Sequence, residues 1–216
     1  MKQVPPLSAV SRDFAVNRPN ADEGLWAPLY DYQNYAAAGA LTFTFFQTPI
    51  GQSSKTIADT NMTQAGLLAA PQKFLLTGIE VVFFPGGAAG GIGASGATVS
   101  GANWSDVYAV LKALAVLRLR IGSKDYVVDG PLMVFPPSFR LAGVAALGGV
   151  GAAAGNIDQV AYASAIGRPY EPAPFFIPPV QNFTVTAEFK ALAPTISTVA
   201  GVIGVRLLGF LYRLSQ

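Results

Sequence analysis

Apolar and polar positions alternate along several stretches of the chain with the two-residue period of a β-strand. Leu41, Phe43 and Phe45 alternate with Thr42, Thr44 and Phe46. In the 74–84 run, Leu75, Thr77, Ile79, Val81 and Phe83 fall on one face and Phe74, Leu76, Glu80, Val82 and Phe84 on the other. A strand apolar on nearly both faces is expected to be buried between layers. Leu117, Leu119 and Ile121 alternate with Arg118 and Arg120 up to Gly122-Ser123, a two-residue connection that fits a II′ turn, and Tyr126 and Val128 continue beyond it. Leu132 to Phe135 is a brief strand-like run that Pro136 and Pro137 terminate. Phe183 to Lys190 and Val202 to Arg213 close the chain as two more strands, and Asp158 to Ile166 offers another.

One segment has helical spacing instead. Val107, Val110, Leu111 and Leu114 form a stripe after an N-cap at Asn103 or Ser105, with Asp106 placed in the first turn to complement the helix dipole. Between the periodic segments lie a polar excursion over 47–72, Gly/Ala-rich loops over 86–101 and 142–155, and a proline-rich extended segment from Tyr170 to Pro179. Strands starting near Leu41, Phe74, Val116, Lys124, Leu132, Phe183 and Val202, with one good helix, indicate an all-β sandwich or barrel over residues 39–216.

Residues 1–38 hold Pro5, Pro6, Pro19 and Pro28 with scattered charges and no sustained period, which reads as an extended N-terminal arm. Within it Leu25, Trp26, Leu29, Tyr30, Tyr32 and Tyr35 offer large apolar faces with polar tips, expected to anchor on a neighbouring subunit. Lys2, Arg12 and Arg18 are the arm's candidates for touching phosphate, either of a genome or of an inner lipid surface.

Composition sharpens this picture by subtraction. With neither histidine nor cysteine, the chain cannot build disulfides, thiolate nucleophiles, Cys/His zinc sites or imidazole-based catalysis. Charged residues are 12% of the chain, about half the usual share, and the net charge is +2, too small for a dedicated nucleic-acid groove. Met1 to Pro6 leads into polar residues without an apolar core, so synthesis in a cytoplasm without a secretory signal is expected. The most apolar stretches, 107–119 and 202–211, are interrupted by Lys112 and Arg206 and fall short of a bilayer span.

Motif by motif, the candidate chemistry is thin. Gly91-Ile92-Gly93-Ala94-Ser95-Gly96 spells a dinucleotide fingerprint, but its glycines are not set directly between a strand and a helix, and no acidic residue stands about 20 positions on. No cofactor is expected. Asp125, Asp129, Asp106, Glu80 and Glu188 are the carboxylates from which an acid/base pair would have to come, and Asp129 before Gly130-Pro131 reads more simply as a turn residue. Lys55 to Asn61 lacks the ligand density of a calcium loop and reads as a capped, hydrogen-bonded loop. Arg118 and Arg120 share one strand face, where they meet phosphates, a neighbour's carboxylates or solvent. No catalytic set emerges, so the chain is expected not to be an enzyme. A low-charge domain with an aromatic arm fits a building block whose surface is covered by copies of itself.

Several segments together carry a resemblance. Phe45 to Gln52, Lys55 to Met62, the strand Phe74 to Phe84, Ile121 to Tyr126 with Gly130-Pro131-Leu132, and Val205 to Arg213 resemble the jelly-roll major capsid proteins of small icosahedral tailless bacteriophages. The resemblance spans roughly residues 41–213. It implies a single eight-stranded jelly roll that self-assembles into capsomers around a phage genome, with contacts to itself, to other capsid proteins such as a vertex protein, and by the arm to genome or an internal membrane. The implied location is the virion. The chief rival is a lectin-like or other ligand-binding sandwich in which Tyr and Trp line a sugar site. A metal-dependent cupin-like enzyme would need the histidines this chain lacks.

Overall fold

The computed structural model describes residues 22–85, 101–142, 163–190, 194–196 and 200–214. They form two antiparallel sheets facing each other across one core, an all-β sandwich with a single helix. The strands are β1 (Asp22–Trp26), β2 (Leu29–Ala36), β3 (Thr42–Phe45), β4 (Lys73–Pro85), β5 (Ala115–Ile121), β6 (Lys124–Asp129), β7 (Phe139–Ala142), β8 (Ala163–Ile166), β9 (Phe175–Ile177), β10 (Phe183–Phe189) and β11 (Ala200–Leu214). The first sheet runs β1-β11-β4-β9, with β2 continuing the β1 edge along β11, and the second runs β3-β10-β5-β6. β7 and β8 pair with each other as a separate ribbon.

The core follows from the alternation. Phe43 and Phe45, Leu117, Leu119 and Ile121, and Phe183, Val185 and Ala187 of the second sheet face Phe74, Leu76, Ile79 and Val81 with Ile203, Val205 and Leu207 of the first. Threonines and charged residues of β3, β5 and β10 take the opposite, solvated side. Tyr35 joins the two layers: its ring stacks on Phe43 at 5.3 Å and meets Phe83 edge-on at 5.2 Å, and its hydroxyl donates to the Pro194 carbonyl. Each such large buried side chain contributes about 1.5–3 kcal/mol.

Several sequence expectations need correction. Residues 22–36, expected in the extended arm, are strands β1 and β2, because β11 runs on to Leu214 and its backbone pairs with both. In β4 the inward set is Phe74, Leu76, Ile79, Val81 and Phe83, so uniform alternation fails in the middle of the strand. The cause is a register irregularity: Leu208 pairs with Gly78 but Gly209 with Leu76, and the extra residue switches the face. The other face of β4 is half-buried at Leu75, Val82 and Phe84 and buried at Gly78 and Glu80, where Pro169 and Ser138 lie over it. Leu132–Val134 is a 3-10 turn, not a strand, and it buries Leu132 and Phe135. The helix, α1 (Gly101–Lys112), starts earlier than expected, so Asp106 lies past its first turn and is buried; Val110 packs into the core while Leu114 lies beyond the helix end and is exposed. At the hairpin, Gly122 has φ +57° and Ser123 does not share that region, as a II′ turn requires. The Gly91–Gly96 motif, most of both Gly/Ala-rich loops, and Lys2, Arg12 and Arg18 lie outside the described residues.

Candidate functional site

The residues expected to anchor an arm are divided by the two faces of the first sheet. Leu29 and Tyr35 point inward and are buried, so they hold this chain's own core together and cannot touch a neighbour. Tyr30 and Tyr32 point outward and are half-buried; their rings lie 5.7 Å apart, and the Tyr30 hydroxyl donates to the Ile57 carbonyl. Leu25 is half-buried, and Trp26 alone among the six is open, at 57% exposure.

Trp26 is one end of a larger feature. Register pairs Trp26 with Phe210, Phe210 with Leu75, and Leu75 with Phe176, so these four side chains make one row across β1, β11, β4 and β9. Trp26 and Phe210 meet edge-on at 5.2 Å, and Phe176 lies 5.8 Å from Tyr212. The Lys73 ammonium sits 5.9 Å from the Phe176 ring and 5.8 Å from the Tyr212 ring. Phe176 is 45% exposed. Sequence reasoning named Trp26 but not Phe210, Leu75 or Phe176. Their signal was present in the two apolar faces of the 74–84 run, since each sheet of a two-layer sandwich has only one face to bury.

The outer face of the second sheet is different in kind. Arg118 donates to Asp125 at 2.9 Å and reaches Glu188 at 3.7 Å, and Arg120 donates to Asp125 at 2.7 Å. The Arg120 hydrogen bond, with the charges of both arginines, holds the Asp125 carboxyl below its usual range. Both guanidinium groups are thus matched within the chain, neither aimed at a phosphate nor merely solvated.

Inside, Asp31 is fully buried at the edge formed by β2. It accepts from the Phe46 amide at 2.8 Å and from the Lys55 ammonium, and burial pushes its carboxyl above the usual range against the pull of those donors. Around this pair the 47–72 excursion is fastened to β2: Tyr32 donates its amide to Asp59, Asn61 donates its amide to Tyr30, and the Tyr30 amide donates to the Asn61 side chain. Thr56 donates backbone and hydroxyl to Asp59, so Lys55 to Asn61 is the hydrogen-bonded loop its composition suggested. Glu80 makes a second buried ion pair with Arg206 at 2.9 Å, and accepts from the Ser138 amide at 2.7 Å.

Among the described residues no group of three or more acidic side chains converges as a metal site requires, and no helix is long and apolar enough to cross a membrane. A cleft between Leu29, Met62, Leu68 and Leu211 encloses about 180 Å³, below the roughly 300–1,000 Å³ of small-molecule sites, while an open groove of about 700 Å³ between Val116, Arg118, Val128, Pro131 and Lys190 falls within that range.

Tyr35 yields a pH prediction. Burial, then the charge of Asp106, pushes its hydroxyl up to about 12. An unfolded tyrosine ionises near 10. Its contribution is therefore fully present below pH 10 and lost as pH rises towards 12. The urea midpoint should fall across that window, and less steeply in Tyr35→Phe; equal slopes in the two proteins would contradict the assignment.

No protein-family model, no curated protein and no solved structure matches the chain.

Proposed function

We propose that the chain is a structural virion protein, the major capsid protein of a small icosahedral tailless phage, acting by self-assembly and not by catalysis. In this reading the fold is a single jelly roll. What supports it is the pairing order: β2-β11-β4-β9 in one sheet and β3-β10-β5-β6 in the other, taken in chain order, is the order expected of two interlocked Greek keys. β1 then extends an edge, and the β7–β8 ribbon is an insertion between β6 and β9.

The observation that carries the functional reading is the surface. Fold leaves function open, but Trp26, Phe176, Val128, Leu114 and Met133 stand more than two-fifths exposed on a chain with few charges. Such a surface favours association. Of the tyrosines a sugar site would draw on, Tyr35 lies in the core and Tyr30 is bonded to the 47–72 excursion, while the exposed Tyr108 and Tyr126 lie against Lys112 and Phe175. Capsid contacts to copies of itself, to a vertex protein, and to genome or lipid through Lys2, Arg12 and Arg18 belong to the same proposal, as does residence in the virion after synthesis in a host cytoplasm.

Size-exclusion chromatography with light scattering tests it. Defined oligomers or particles are expected. A stable monomer that is retained on a glycan array would replace the shell with a lectin.

A further inference from the structure

The geometry points to the Trp26–Phe210–Leu75–Phe176 row as a face-to-face contact with a second copy of this chain, the row of one copy lying antiparallel on the row of the other. This rests on the shell reading and adds to it which surface is used and in what orientation.

The first support is the contrast between the two outer faces. On the second sheet the exposed Val116 and Val128 are broken up by charges, standing opposite Glu188 and Arg118 among the mutually paired Arg118, Arg120, Asp125 and Glu188. On the first sheet the row is wholly apolar, and the one cation beside it, Lys73, lies against the rings of Phe176 and Tyr212.

The second support is area. Aromatic side chains carry about 150–250 Å² each. At 57% and 45% exposure, Trp26 and Phe176 present roughly 200 Å² between them, and half-buried Phe210 and Leu75 raise this to about 300 Å². A standard interface buries about 800 Å² per partner, of which about 57–65% is apolar. The row therefore supplies more than half of the apolar surface that a stable pair of copies needs.

The third support is self-complementarity. A twofold axis parallel to the strands, between β11 and β4, sets Trp26 on Phe176 of the second copy and Phe210 on Leu75 of the second copy. No like charges meet along the row, which is apolar throughout. Both partners of each contact already exist on one chain, so no other protein is required.

The test exploits the absence of cysteine. Trp26→Cys and Phe176→Cys are made as separate single-cysteine proteins, in the full chain, and treated, alone and as an equimolar mixture, with a homobifunctional maleimide whose reach matches the roughly 10 Å between stacked sheets. Each protein carries one cysteine, so any cross-link joins two copies. The expected result is a mixed cross-linked dimer forming at least tenfold faster than either homodimer. In parallel, sedimentation velocity on Trp26→Asp and Phe176→Asp should show association weakened at least tenfold, with Thr44→Asp on the other sheet as wild type; circular dichroism melts verify folding. If the wild type associates while the row variants associate equally well and no mixed cross-link forms, this face is wrong and the shell reading stands. If the wild type stays monomeric up to its solubility limit, the face and the shell reading fail together.

Discussion

Replacing Lys55 by methionine is expected to lower the stability of the fold by about 3–5 kcal/mol at neutral pH, the usual cost of leaving a buried charge without its partner. Asp31 is fully buried and Lys55 is 13% exposed. The Phe46 amide and the Thr60 side chain would remain as hydrogen-bond partners of the carboxylate, and Phe46 is itself held at φ +67°, a region that non-glycine residues adopt only when their surroundings fix it. The pH dependence has a definite sign. With its carboxyl already raised by burial, and further raised without Lys55, folded Asp31 binds a proton more tightly than unfolded Asp31. Stability of Lys55→Met should therefore rise towards that of the wild type as pH falls towards about 4, where folded Asp31 has taken up its proton and the unfolded group is only about half ionised. Adding Asp31→Asn should recover most of the loss, since the amide oxygen still accepts from Phe46 without carrying charge. Urea denaturation of the single and double variants from pH 4 to 7.5 measures this. A Lys55→Met variant within 1 kcal/mol of wild type at neutral pH, a threshold set by exposed ion pairs worth about 0–1 kcal/mol, would mean the pair is not buried in solution.

Gly209→Ala is expected to cost about 3 kcal/mol or more, at the upper end of overpacking losses. A Cβ there would stand 1.9 Å from the Leu75 carbonyl oxygen and 2.9 Å from the Phe74 ring. The first neighbour is backbone and cannot rotate aside, so β11 would have to separate from β4 where the register shifts between Leu208 and Gly209. Gly78→Ala, across the same irregularity, meets only the side chains of Pro169 and Leu208 at 3.3–3.4 Å. Its cost should stay near 1 kcal/mol, the intrinsic scale of small core adjustments. Comparing thermal unfolding of the two variants separates a clash from a general intolerance of the sheet; equal losses would contradict the close approach at Gly209.

The same irregularity explains what could and could not be read from the sequence. Alternation located β3, β5, β10, β11 and most of β4, because one face of each meets a core and the other meets water. The faces of β4 were misassigned because a register shift depends on the partner strand, which has no local signature at residues 77 and 78. β2 escaped notice because its inward positions include Asp31 and its outward ones Tyr30 and Tyr32, which inverts the expected contrast; its only signal was the enrichment in tyrosine. Leu132 to Phe135 has strand composition, yet Pro131 before it and Pro136-Pro137 after it leave room for one tight turn only. Of the surface row, Trp26 was legible as an anchor, but its companions come from three other strands and are united only by register.

Electron microscopy of the purified full-length chain, imaged across a concentration series, bears most directly on self-assembly. Rings, capsomers or closed shells built from this chain alone are the expected result, increasing with concentration. Uniform single molecules of about 22.5 kDa at every concentration would contradict it.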